Sequence, residues 1–413
     1  MYTDSILHER LHLRQGYTVI ITKVMRSHGL PLSLLVVLSC APKSAPKGST
    51  APQDEDDTPG EGDTSVLPLS FSSSDAVGTG TDRTARMVSH DLNGDGWLDL
   101  ILANGRHDPE ANVFILREGE GWGAPQELDG PARSYAVRPS DLNGDGHTDL
   151  VVASTAPDAC VAYFDDGTLT FGQAVPLNDG RDNIRNLVLA DLNGDGHQDM
   201  VVAHRSGPNR VGLNDGSGDF SYIGFGSGAD ASVGLSIADF NADGHLDIGV
   251  ANRSPDATAI YLGDGSGDFS AAEPVTVGDG TDDVRWMAAG DFNGDGFIDL
   301  ATIQYRGQDR IYLQDKPMQF TPSVHLGSST SASYTVTTVD MDGNGLLDIL
   351  VGRKAEWNVL YLQGPGLGFS VEVPFGTGSD VSYSVETADM DNDGDLDILV
   401  GNSQQQNWIY YQD

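Results

Sequence analysis

One ten-residue phrase recurs along this chain at a nearly fixed interval, and it constrains the fold more than any other feature. It reads DLNGDGWLDL from Asp91, DLNGDGHTDL from Asp141, DLNGDGHQDM from Asp191 and DFNADGHLDI from Asp239. It returns as DFNGDGFIDL from Asp291, DMDGNGLLDI from Asp340 and DMDNDGDLDI from Asp389. Successive starts are 50, 50, 48, 52, 49 and 49 residues apart. Such a period marks a repeat architecture, in which each unit buries its apolar faces against its neighbours.

The fifth period shows what one unit contains. Val284 to Gly290 is a short, largely apolar run entering the acidic loop, and Leu300-Ala301-Thr302-Ile303 leaves it. Gly307-Gln308 reads as a turn, Asp309 to Leu313 as a third strand, and Phe320 to Leu326 as a fourth. Four short strands per period, punctuated by Gly, Asp, Ser and Pro, describe one propeller blade. No convincing helical period occurs outside the apolar run near residue 30, which argues against βαβ folds. With 51 glycines and 38% apolar residues, the composition suits thin sheets stacked side by side. The last period stops after its third strand, Asn407 to Tyr411, whereas residues 67–82 resemble the fourth strand and linker of the sixth period, residues 369–380. The expected fold is therefore all-β: a closed seven-bladed β-propeller of four-stranded antiparallel blades over residues 66–413, its last blade completed by an N-terminal strand.

Within each loop, oxygen-bearing side chains stand at positions 1, 3, 5 and 9. They are Asp91, Asn93, Asp95 and Asp99; Asp141, Asn143, Asp145 and Asp149; Asp191, Asn193, Asp195 and Asp199; Asp239, Asn241, Asp243 and Asp247; and Asp291, Asn293, Asp295 and Asp299. The sixth loop has Asp340, Asp342, Asn344 and Asp348, and the seventh Asp389, Asp391, Asp393 and Asp397. Alternate placement turns several oxygens inward, which fits a hard cation taking six to eight oxygen ligands. Position 7 would add a backbone carbonyl, from Trp97, His147, His197, His245, Phe297, Leu346 and Asp395. A helix-loop-helix calcium hand needs Glu at position 12, where this chain has Leu102, Val152, Val202, Val250, Thr302, Val351 and Val400. The spacing thus predicts up to seven Ca2+ ions in β-hairpin loops. The four positions carry three carboxylates in each of the first six loops and four in the seventh, 22 in all, and these would repel one another without metal.

These loops, with Leu262 to Phe269 (LGDGSGDF) and Asn214 to Phe220 (NDGSGDF), resemble bacterial FG-GAP-like repeats of the VCBS type, related to the integrin α-chain propeller. The literal signatures survive only as fragments, Gly123-Ala124-Pro125 and Phe171-Gly172. The resemblance implies that calcium loops occupy one face and partners dock on the other, on fourth-to-first linkers and second-to-third turns. Six residues before each loop stand Ala85, Tyr135, Arg185, Val233, Arg285, Tyr334 and Tyr383. Tyr135, Arg185, Arg285, Tyr334 and Tyr383, with Trp286 and the turn residue Trp357, are the ligand-face candidates. Two readings stay open for the repeated position: lining the mouth of a central channel, or packing between blades. Arg106-His107-Asp108 and Tyr305-Arg306 are weaker candidates from the turns.

The N-terminal region divides differently. Residues 1–24 show no clear period and read as an over-long start. Residues 25–39 form a basic start followed by an apolar run of about nine residues, which matches an export signal and is too short to span a bilayer. Val37-Leu38-Ser39-Cys40 resembles the lipobox of bacterial lipoproteins, which implies lipidation at Cys40. Residues 40–65 then read as a lipidated cysteine and a disordered acidic tether. Ala41 in place of aspartate implies an outer-membrane or cell-surface location. The one other cysteine, Cys160, reads as a small apolar strand residue.

The function classes narrow accordingly. A formal net charge of −38 provides no basic footprint for nucleic acid, and the membrane is approached only through the lipid anchor. No nucleophile elbow or His-rich zinc pattern occurs, so the chain is expected not to be an enzyme. The leading expectation is a surface adhesion or protein-interaction module. The alternatives are a lectin-like glycan binder, since some fungal seven-bladed lectins resemble this repeat, a structural component of a cell-envelope assembly, and a polysaccharide-active enzyme.

Overall fold

The computed structural model describes residues 5–12, 18–25, 69–71, 73–119, 121–178, 182–278, 280–327 and 331–413. The chain divides into two compact units, Met1–Val66 and Leu67–Asp413. In the first, Ser5–His12 pairs antiparallel with Thr18–Met25. The second of these strands is rich in β-branched residues, a local preference that outweighs the missing period. The apolar run after Met25, Cys40 and the acidic tether lie outside the described residues.

The second unit is all-β among its described residues, and it repeats one four-stranded antiparallel sheet. The quartet around the fifth loop is Val284–Gly290, Asp299–Gly307, Arg310–Lys316 and Gln319–His325. Each loop turns the chain from the first strand into the second. The second strand of this quartet runs past Ile303, through the expected turn at Gly307. It does so because Tyr305 and Gly307 pair with Ala332 and Ser331 of the next quartet, joining the two into an eight-stranded sheet.

Second strands such as Asp99–Asn104, Asp149–Ser154 and Asp397–Asn402 are buried along their whole length. Sheets packed on both sides bury both faces of these strands, which is why they read as unbroken apolar runs. Each apolar cluster spans two successive quartets: Val201, Val211 and Phe225 meet Ile248, Val250 and Tyr261. One cluster joins the two ends of the unit, holding Met87, Leu100, Leu102 and Ile115 together with Met390, Leu399 and Ile409. Ser73–Val77 pairs antiparallel with Asn407–Tyr411 in the sheet that also holds Ser382–Ala388 and Asp397–Asn402. Ser384 Oγ accepts the Met87 amide and donates to the Met87 carbonyl, both at 3.2 Å. Cys160 is buried in the cluster with Ala136 and Leu142, where desolvation raises its thiol pKa to about 12.

Candidate functional site

The acidic loops are held by their own side chains. In the first, Asp91 Oδ1 accepts the amides of Gly94 and Asp95 at 2.8 and 3.1 Å, and Oδ2 accepts that of Gly96 at 2.9 Å. Asn93 Oδ1 accepts the Asp95 amide, and Asp95 Oδ1 the Trp97 amide. The buried position-9 carboxylate makes two longer-range bonds: Asp99 Oδ2 accepts the Leu92 amide at 2.9 Å and Oδ1 the Arg117 amide at 2.7 Å. The pair recurs at Asp149 with Leu142 and Asp165, at Asp199 with Leu192 and Asn214, and at Asp247 with Phe240 and Gly263. It recurs again at Asp299 with Phe292 and Gln314, at Asp348 with Met341 and Gln363, and at Asp397 with Met390 and Gln412. Position 9 therefore ties the loop entrance to the end of the third strand, a role beyond the metal-ligand role expected of it.

The same group sits under electrostatic load. Burial raises the pKa of each position-9 carboxyl, the neighbouring loop carboxylates raise it further, and the two amide bonds offset part of the rise. For Asp299, Asp348 and Asp397 the value reaches about 6. Carboxylate oxygens of Asp340, Asp342 and Asp348 lie within 4.8 Å of one another, and so do those of Asp389, Asp391 and Asp397. An oxygen that accepts one amide keeps a second lone pair, so these all-oxygen donor sets fit a hard cation. The position-7 histidines point away from the chemistry. His147, His197 and His245 are exposed, and their rings lie where a Cβ on Gly167, Gly216 or Gly265 would stand.

A second assembly lies at the starts of the first strands. Thr84 pairs with Asn104 and Arg86 with Ala103, so the ladder skips Ala85. The same bulge skips Tyr135, Arg185, Val233, Arg285, Tyr334 and Tyr383. A bulged residue leaves the pleat and its side chain is re-aimed. All seven side chains, with Arg106 and Trp286, line one cavity of about 70 Å³. Every ligand-face candidate except Trp357 is thus brought to one place, and Arg106 is promoted from the weaker group. Trp357 does not line this cavity: it is 51% exposed and its indole lies over Gly378.

Guanidinium and phenol rings interleave around the cavity. Arg106 lies 3.4 Å from the Tyr383 ring centroid and 5.4 Å from that of Tyr135, which Arg185 approaches to 4.3 Å. Arg285 stacks on Tyr305 and Tyr334, and Tyr334 meets Tyr383 edge-on at 4.8 Å. Arg205 and Arg253 are close enough to lower the Arg185 pKa, after burial and together with Arg106. Beside Trp286, Arg86 lies 5.2 Å from the indole centroid and pairs with Glu386. Arg138 is half-buried nearby, and desolvation, with Arg86 acting the same way and Glu386 opposing, lowers its pKa to about 9. The sequence reading passed over Arg86, Arg138, Arg205 and Glu386. Arg86, Arg138 and Glu386 are charged residues inside first strands, and Arg205 directly follows the second strand Asp199–His204.

A family model described as FG-GAP-like repeat matches residues 91–152, 141–202, 191–250, 239–302, 291–351 and 340–400. No curated protein matches the chain in sequence. Among solved structures, BBS1N in complex with ARL6DN, soaked with lead, superposes with a TM-score of 0.58 at 14% identity, covering 83% of this chain and 96% of that one. The BP39L lectin from Burkholderia pseudomallei superposes with a TM-score of 0.60 at 13% identity, covering 80% and 96%. At these identities the likeness is one of fold.

Proposed function

The chain belongs to the FG-GAP-like repeat family, and from that premise we propose that it is a calcium-loaded binding module. The reading comprises a closed seven-bladed propeller, exported to a bacterial outer membrane or cell surface and lipidated at Cys40, that adheres to a protein or glycan partner at the mouth of its axis. The observation that carries it is the cavity where seven equivalent bulged residues converge. A position left out of the ladder has its side chain re-aimed, and here all seven reach the same cavity. Ring closure is supported by the Ser73–Val77 pairing with Asn407–Tyr411 and by the cluster joining Met87 to Met390. Calcium would be held by positions 1, 3, 5 and 9 of each loop and the position-7 carbonyl. Bound there, the ion would neutralise the clustered carboxylates and tie each loop together.

A lectin is the second reading, favoured by the aromatic lining of the cavity from Tyr135, Trp286, Tyr334 and Tyr383. The test is a glycan-array and surface-protein binding screen of the full chain in millimolar calcium, repeated with Tyr334→Ala/Tyr383→Ala. Saturable binding that the double variant weakens supports the module. Binding indifferent to that variant, or turnover of a polysaccharide, overturns it.

A further inference from the structure

We propose that the cavity formed by the bulged residues is a receptor for one carboxylate group, presented by an acidic, uronic-acid-bearing glycan. This rests on the binding-module reading and adds the chemistry of the ligand. The first observation is charge. The chain as a whole is strongly acidic, yet guanidinium groups gather here. Arg106, Arg185 and Arg205 make no ion pair among the described residues, while Arg253 and Arg285 share one carboxylate, Asp283, at 3.2 and 2.7 Å. Asp108, two residues after Arg106, is engaged by Arg83 and keeps 67% of its side chain exposed. Beside Trp286, Arg86 and Arg138 face the single carboxylate of Glu386. The local excess is positive, and three of these guanidinium groups, those of Arg106, Arg185 and Arg285, line the cavity itself.

The second observation is hydrogen bonding. One terminal nitrogen each of Arg106 and Arg185 is buried with no acceptor, as is Nε of Arg285. Buried donors without partners are rare and costly, and a planar two-oxygen acceptor satisfies guanidinium donors well. Stacking on Tyr135, Tyr383 and Tyr334 holds those planes, and of the three, among the described residues, only Arg285 spends a terminal nitrogen on a carboxylate, that of Asp283. The third is size and donor balance. At about 10–15 Å³ per water, a cavity of about 70 Å³ admits about five water-sized groups, enough for a carboxylate and its attachment point. The lining side chains offer guanidinium, indole and phenol donors, and the phenols are the only acceptors among them. A peptide end brings amide N–H groups that would go unmatched, whereas a uronic acid brings a carboxylate and hydroxyls, on a ring whose C–H face suits aromatic walls.

The test titrates the full chain in millimolar calcium with a glucuronic-acid-terminated trisaccharide, its methyl ester, a neutral glucose trisaccharide and a tripeptide with a free C-terminal carboxylate. The acid binds, with affinity falling as salt rises, and the ester binds about tenfold more weakly or worse, since it removes the charge without touching the protein. Arg106→Gln/Arg185→Gln weakens the acid by a similar factor, and Trp357→Ala leaves it unchanged. Equal binding of acid and ester, preference for the tripeptide, or no binding of the acid each overturns the proposal. Binding of the neutral sugar alone, lost in Tyr334→Ala/Tyr383→Ala, overturns it while leaving the binding-module reading standing. If that sugar too is ignored and the array is empty, both fail.

Discussion

Replacing one buried acid by its amide should stabilise this protein, and only above a definite pH. Asp309 immediately precedes the third strand of the fifth quartet and is 2% exposed. Its Oδ1 accepts the Gln304 amide at 2.9 Å, and its Oδ2 accepts Ser333 Oγ from the next sheet at 2.7 Å. Other quartets place asparagine in that role: Asn209 accepts the His204 amide and donates to Ser232 Oγ, and Asn407 accepts the Asn402 amide and donates to Thr84 Oγ1. Asp309→Asn therefore keeps the backbone bond and reverses the hydroxyl bond, an arrangement the molecule already uses. Desolvation raises the Asp309 carboxyl from 3.8 to about 6, with the bonds from Gln304 and Ser333 and the charge of Arg353 opposing. The folded chain thus holds this proton more tightly than the unfolded one. Below about pH 4 both states are protonated and the group costs nothing; stability falls as pH rises from about 4 to about 6, and the full cost persists above that. A gap of about two pH units corresponds to about 3 kcal/mol, so the variant should gain about 1–3 kcal/mol at pH 7.5 and nothing at pH 4. Denaturant unfolding of both proteins at each pH, at fixed calcium, gives the difference. Equal effects at both pH values, or destabilisation at pH 7.5, would refute the desolvation argument.

Gly105→Ala should destabilise by about 2–5 kcal/mol, because its φ is +106° and a Cβ would stand 2.1 Å from the Ala132 carbonyl oxygen; thermal unfolding reads this directly. Asp199→Ala strips the acceptor from the buried amides of Leu192 and Asn214 and should cost about 2–6 kcal/mol even in chelator, where a purely metal-binding residue would cost nothing. Deleting residues through Val77 should expose the edge of Asn407–Tyr411 and remove Asp75, which accepts from Trp122 Nε1 and Tyr411 Oη. Light scattering should then show self-association, and a monodisperse monomer would count against closure.

What was legible in the sequence was local. Asp91, Asn93, Asp95 and Gly96 act within one turn, so their spacing alone reveals the loop, and the first strand Val284–Gly290 matches its apolar run. What was illegible depends on partners far along the chain. The second bond of Asp99 goes to Arg117, and no spacing within the loop points there. The position six residues before each loop stood out by its Tyr and Arg content, but its meaning comes from the pairing register, a property of two strands together. Trp357 shares the aromatic chemistry of the cavity residues, but its indole lies over Gly378, a contact that its own turn does not reveal.

Calcium binding to the full chain tests the account most directly. Titration of metal-stripped protein by calorimetry, paired with thermal unfolding, should give up to seven bound ions per chain and a melting temperature raised well above that in excess chelator. No bound ion and an identical melting temperature in calcium and chelator would contradict it.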